Sequence, residues 1–233
     1  MSITPSEQQQ IWDHYQSNTP HLFDENYGRL SFLAKKIATG ERVLDIGVGN
    51  GIFERLALQR NALVYALDPS VQTIKNLQSE LNLGERACVG SITQIPFPDN
   101  TFDTIVVSEV LEHLDDITLH QAIVEIARTL RPGGRILGTV PAREELSSSL
   151  VVCPHCAVPF HRWGHLQSFT PERIIALLSP FFTSCTAHEY KFITWSRRSF
   201  AAKVLAVLKL SARWFGVRLP DESIFFSGVK PTE

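Results

Sequence analysis

Val43-Leu44-Asp45-Ile46-Gly47-Val48-Gly49-Asn50-Gly51 runs from residues suited to a buried strand into three glycines at alternate positions. Glycines in such a strand-to-helix turn let the backbone approach a ligand with no Cβ in the way. A merely tight turn would need one glycine, so three point to ligand binding. Asp68 ends the next apolar run, Ala66-Leu67-Asp68-Pro69-Ser70, where a carboxylate can accept both hydroxyl hydrogens of a ribose. A dinucleotide fingerprint requires G-x-G-x-x-G. Here the third glycine, Gly51, comes one residue early, and Asp45 precedes the first. A carboxylate at that point repels a pyrophosphate and suits a ligand carrying an ammonium and a sulfonium. A cationic amino-acid nucleoside therefore fits better than a nicotinamide dinucleotide.

Outward from this turn, short apolar runs alternate with amphipathic stretches, the pattern of βα units in a parallel sheet. Strands are expected at Val43–Ile46, Leu63–Leu67, Ala87–Val89, Thr104–Val107 and Arg135–Thr139, and helices at Phe53–Gln59, Val71–Leu81 and Thr118–Leu130. Arg131-Pro132-Gly133-Gly134 stops the last helix, since proline cannot continue it. A further helix is expected at Pro171–Leu178, with closing strands at Thr183–Phe192 and Ile224–Val229. The expected fold is α/β: a Rossmann-like, doubly wound, seven-stranded, mostly parallel sheet with helices on both faces. Residues 1–40 read as an N-terminal helical cap over the pocket and residues 41–233 as the ligand-binding domain.

The chain has 233 residues, 44% hydrophobic and 20% charged, with a formal net charge of -2. That length accommodates one α/β domain with an appendage. The charge gives no reason to expect nucleic acid as a partner. The polar N-terminus lacks the features of a secretory signal, and no run reaches the roughly 18 apolar residues of a spanning helix. A cytoplasmic location is the default expectation.

Further motifs follow in order: Gly90-Ser91-Ile92-Thr93-Gln94-Ile95-Pro96-Phe97-Pro98-Asp99-Asn100-Thr101-Phe102-Asp103, then Ser108-Glu109-Val110-Leu111-Glu112-His113-Leu114, then Leu130-Arg131-Pro132-Gly133-Gly134. With the glycine-rich turn, this set resembles the class I S-adenosylmethionine-dependent methyltransferases, particularly the type 11 domain of the quinone-biosynthesis enzymes. The resemblance runs closely from about Arg42 to Pro141. It implies methyl transfer from S-adenosylmethionine to a small-molecule or lipid-like acceptor. It also implies that Asp45, Gly47, Gly49 and Gly51 hold the methionine portion and Asp68 the ribose, with Ser91 and Ile92 flanking the adenine and Ser108 near the transferred methyl. The family more often has Asp at the place of Ser91, a stronger acceptor for the adenine amino group. The sulfonium is already a strong electrophile, so positioning and exclusion of water suffice and no catalytic base is assigned. His113 suits either proton abstraction from a hydroxyl acceptor or a structural hydrogen-bonding role.

The stretch 142–168 interrupts the βα alternation. Cys153-Pro154-His155-Cys156, His161 and His165 form C-x2-C-x4-H-x3-H, a set that zinc can take tetrahedrally. Such a metal would be structural, tying down a loop poor in secondary structure. An ordinary loop in which Phe160, Trp163 and Phe169 pack over the acceptor pocket is the alternative. A zinc-containing, non-catalytic adapter with a protein or membrane contact surface is the corresponding functional rival.

Between Tyr190 and Pro220 lie seven basic residues and no acidic one, interleaved with apolar residues that predict an amphipathic helix over 198–215. Such a helix can lie on an anionic membrane or receive a lipid-like substrate. The favoured reading is a lid helix whose apolar side packs on the domain and whose charges are solvated.

Overall fold

The structure is a computed structural model that describes residues 26–192 and 222–232, together with Glu7, Gln10 and Ile11. Most of the expected cap and the basic stretch 198–215 lie outside the described residues. Strands β1 (Arg42–Ile46), β2 (Leu63–Asp68), β3 (Ala87–Val89), β4 (Phe102–Ser108) and β5 (Leu130–Pro141) pair in parallel. Strands β8 (Thr183–Tyr190) and β9 (Ser223–Val229) complete one seven-stranded sheet in the order β3-β2-β1-β4-β5-β9-β8. Strand β9 is antiparallel to both neighbours, so it alone runs against the other six.

Alternation along β1 explains how the sheet is covered. Val43 faces a core with Leu33 and Ile37, at and beyond α1 (Tyr27–Ala34), and with Phe53 and Ala57 of α2 (Ile52–Leu58). Leu44 and Ile46 face the other core, with Ile123 and Ile126 of α4 (Asp116–Thr129) and Ile174 and Leu178 of α5 (Pro171–Leu178). Successive side chains on a strand point to opposite faces, so Asp45 shares the side of Val43 and meets α2. The remaining helix, α3 (Val71–Leu81), is capped by Ser70, whose side chain accepts from the Thr73 amide. Asp115 caps α4 in the same way through Thr118.

The chain leaves β1 towards β2 and β3, then crosses back to place β4 on the other flank of β1. Between β1 and β4 lies the switch point, where ligands of open α/β sheets bind beyond the carboxyl ends of the strands. The turn Gly47–Gly51 and the segment following Ser108 both emerge there.

Two details differ from expectation. Helix α4 stops at Thr129 ahead of the Arg-Pro-Gly-Gly stretch, but β5 already begins at Leu130 and carries that stretch as an irregularity opposite Phe102–Thr104. The insert contains a hairpin, with β6 (Leu150–Val152) antiparallel to β7 (Pro159–His161); Val151, Val152 and Phe160 are residue types that favour strands. Among the described residues no helix is long and apolar enough to cross a membrane.

Candidate functional site

The turn after β1 is held from within. The Gly47 amide donates to Leu67 O at 2.9 Å, and Gly51, at φ +73°, begins α2. Gly47 has φ +84°, and a Cβ there would stand 2.4 Å from Val110 Cγ2. Glycine is thus required both by conformation and by the close approach of the segment after β4. A Cβ on Gly49 would meet nothing within 4 Å, so the middle of the turn faces open space where a ligand can lie. Arg55 braces the turn from outside, its Nη1 donating to Asn50 O at 2.8 Å.

Asp68, at the end of β2, is 4% exposed. Its Oδ2 accepts from the Val48 amide at 3.0 Å and its Oδ1 from the Ser70 amide at 2.8 Å. A carboxylate oxygen can accept more than one hydrogen bond. Asp45 is also buried, beside Glu54 of α2, with Asp68 close enough to repel it. Burial first, then the charges of Glu54 and Asp68, hold the Asp45 carboxyl well above the usual range. Burial likewise brings Glu54 up to about 7. Three buried carboxylates around one turn are costly unless a cation is nearby. Glu54 escapes a sequence reading because its role depends on which side of α2 faces Asp45; its place three residues past Gly51 is the one available signal.

The other expected ligand residues ring the same edge of the sheet. Ser91 lies just beyond β3, its hydroxyl 2.8 Å from Thr93 Oγ1 and accepting from the Thr93 amide. Ile92 is buried in the core with Ile95 rather than standing open. Ser108 ends β4, with its Oγ 2.9 Å from Thr139 Oγ1 and accepting from Arg29 Nε at 3.2 Å. Arg29 also reaches Glu109, at 3.7 Å. Glu109 adopts φ +57°, a left-handed conformation uncommon for a non-glycine residue and often found at functional sites. Arg29 and Glu109 are further residues at the switch point that the motifs did not single out.

The expected metal ligands form two separate pairs, Cys153 with Cys156 and His161 with His165, and not one set of four. In the hairpin His161 pairs with Leu150, whereas Cys153 and Cys156 sit in the tip beyond Val152 and Pro159. Three residues of strand, about 10 Å, separate Cys153 from the level of His161. At the tip, the main-chain amides of Cys156 and His155 and then the Cys156 side chain hold the Cys153 thiol below its ordinary value. At the base, His161 and His165 stack at 4.6 Å between ring centroids and share Glu144, with His165 Nδ1 at 2.5 Å from Oε2 and His161 Nε2 at 3.4 Å from Oε1. Closeness in sequence therefore misleads, because an extended hairpin places its tip and base apart. His113, predicted as base or structural residue, lies against His165 with centroids 4.8 Å apart. Burial pushes its imidazole down to about 3.

Comparison with known proteins agrees with this geometry. A methyltransferase-domain family model matches residues 44–138, from β1 into β5. An uncharacterized methyltransferase of Geobacillus thermodenitrificans is 34% identical over 110 residues, which span 46% of this chain and 49% of the relative. A malonyl-[acyl-carrier protein] O-methyltransferase of Serratia marcescens is 28% identical over 170 residues, 73% of this chain and 62% of that protein. The chain thus spans about half the length of the first curated relatives it matches. The N-methyltransferase NodS of Bradyrhizobium japonicum, solved with S-adenosylhomocysteine, shares the fold with a TM-score of 0.65 at 18% identity, covering 96% of this chain and 98% of that one. The match from β1 into β5 and the single reversed strand β9 identify residues 44–138 as a methyltransferase domain with the fold of the class I S-adenosylmethionine-dependent methyltransferases.

Proposed function

We propose that the protein transfers the methyl group of S-adenosylmethionine to a small-molecule or lipid-like acceptor that enters between the segment after β4 and the insert 142–168. The observation that carries this reading is the cluster of Asp45, Glu54 and Asp68 around the turn Gly47–Gly51. Three carboxylates at a strand end favour a ligand with an ammonium and a sulfonium and disfavour a pyrophosphate. Asp68 then takes the ribose hydroxyls, and the methyl group is presented towards Ser108, Glu109 and Arg29. An in-line approach of the acceptor supplies most of the rate, since the sulfonium needs no further activation.

The acceptor side contains hydroxyl, carboxylate, guanidinium and imidazole groups, a surface suited to a polar atom of the acceptor. The experiment is incubation with methyl-labelled S-adenosylmethionine and a panel of hydroxyl, amine and carboxyl acceptors, including lipid-like ones. Label transferred to one acceptor with equimolar S-adenosylhomocysteine supports the reading. Binding of the cofactor with no transfer to any acceptor class would favour a non-catalytic role.

A further inference from the structure

Glu112, His113 and His165 each bring an atom able to ligate a metal within 4.8 Å of the other two. Glu112 is fully buried, and neither carboxylate oxygen makes a hydrogen bond. An unsatisfied carboxylate in such a place is expensive. The two imidazoles are already oriented. His113 Nδ1 lies 3.3 Å from the Gly164 carbonyl, which can only accept, so the ring proton sits on Nδ1 and the lone pair on Nε2. His165 Nδ1 faces the Glu144 carboxylate in the same sense, again placing the lone pair on Nε2. Donation from the non-ligating nitrogen to a carbonyl or carboxylate is the usual setting of a metal-bound histidine.

We propose that Glu112, His113 and His165 bind a divalent transition cation of the zinc class, with Glu144 and the Gly164 carbonyl holding the two imidazoles in the ligating tautomer. Two imidazoles and one carboxylate select such a cation over magnesium or calcium, which prefer all-oxygen sets. Three protein ligands leave a position for water or an oxygen of the acceptor. Glu144, His161 and His165 also converge, but His161 Nδ1 accepts from the amides of Trp163 and His165, at 3.4 and 3.1 Å. Its proton is thus on Nε2, which makes no hydrogen bond but lies 3.4 Å from Glu144 Oε1, so in this tautomer His161 faces Glu144 with an N–H and offers no lone pair to a metal.

The placement gives the cation a job. Leu166 and Gln167 amides donate to Glu112 O at 2.7 and 3.1 Å, so the insert already docks on the turn Leu111–His113 just after β4. A cation there clasps the insert to the edge of the sheet where the methyl group is presented. Cation binding is measured independently of methyl transfer, so failure of one does not entail failure of the other.

The test is titration of ZnCl2 into the chelator-stripped full chain carrying Cys153→Ser and Cys156→Ser, so that the two thiols of the hairpin tip contribute nothing. Folding of every variant is checked by circular dichroism. The expected result is one zinc per chain, with affinity about 10- to 100-fold weaker on Glu144→Gln, whose side chain only orients a ligand, and weaker still on His165→Asn or Glu112→Gln. No uptake by the folded double variant would overturn the proposal. Uptake that is unchanged by Glu144→Gln and His165→Asn would overturn it equally.

Discussion

Glu54 carries the most direct consequence at the scale of a single residue. Its carboxyl, at about 7 in the folded protein, titrates far above the ordinary value of 4.5. A folded-state value raised above the unfolded one means that the unfolded chain gives up its proton first. Stability of the ligand-free protein should therefore fall as pH rises from about 4.5 to about 7, by up to roughly 1.4 kcal/mol per unit for each such group. Asp45 is shifted in the same direction. A cationic ligand reverses the balance by favouring the ionised carboxylates, so binding S-adenosylhomocysteine, which retains an ammonium, should release protons near pH 7. Calorimetry in buffers of different ionisation enthalpy measures that release, and Glu54→Gln should diminish it. Gly47 gives a second prediction. Alanine there combines a left-handed φ with a 2.4 Å contact to Val110, so Gly47→Ala should cost at least about 2 kcal/mol in denaturant unfolding.

At the scale of elements, α1 braces the site by carrying Arg29 to the end of β4. Replacing Arg29 by Met leaves Glu109, whose Oε1 is buried and makes no hydrogen bond, without its cation at 3.7 Å. The expected loss is about 1–3 kcal/mol of stability, with little change in S-adenosylhomocysteine affinity, because Arg29 meets β4 and not the glycine turn. Equilibrium unfolding and calorimetry separate the two effects. This level also shows where sequence reading ends. Asp45, the glycines and Asp68 are legible because local spacing puts them at the ends of adjacent strands. Glu54 depends on the facing of a helix, and the approach of His113 to His165 depends on docking of the insert that carries His165. Cys153 and His161 look adjacent in sequence, yet a hairpin sends one to its tip and the other to its base.

At the scale of the molecule, the βα alternation made the sheet legible in advance, because parallel strands buried on both faces must read as short apolar runs between amphipathic helices. Length and composition could not supply the hairpin of the insert, whose pairing rests on three rungs. The sheet brings the turn after β1 and the segment after β4 into contact through Gly47 and Val110, so occupation of the site should stiffen the whole switch point. Saturation with S-adenosylhomocysteine at about 100 times its Kd should add roughly 2.7 kcal/mol to stability. Thermal unfolding over a ligand series reads this as a progressive rise in Tm.

On the proposed function, the acid-lined turn at the switch point binds a cationic amino-acid nucleoside. Isothermal titration of the full chain with S-adenosylmethionine, S-adenosylhomocysteine and NAD tests it most directly. One site per chain is predicted for the first two ligands, with binding weakened by Asp68→Asn and none for NAD. Heats from NAD alone, or from none of the three, would contradict the claim.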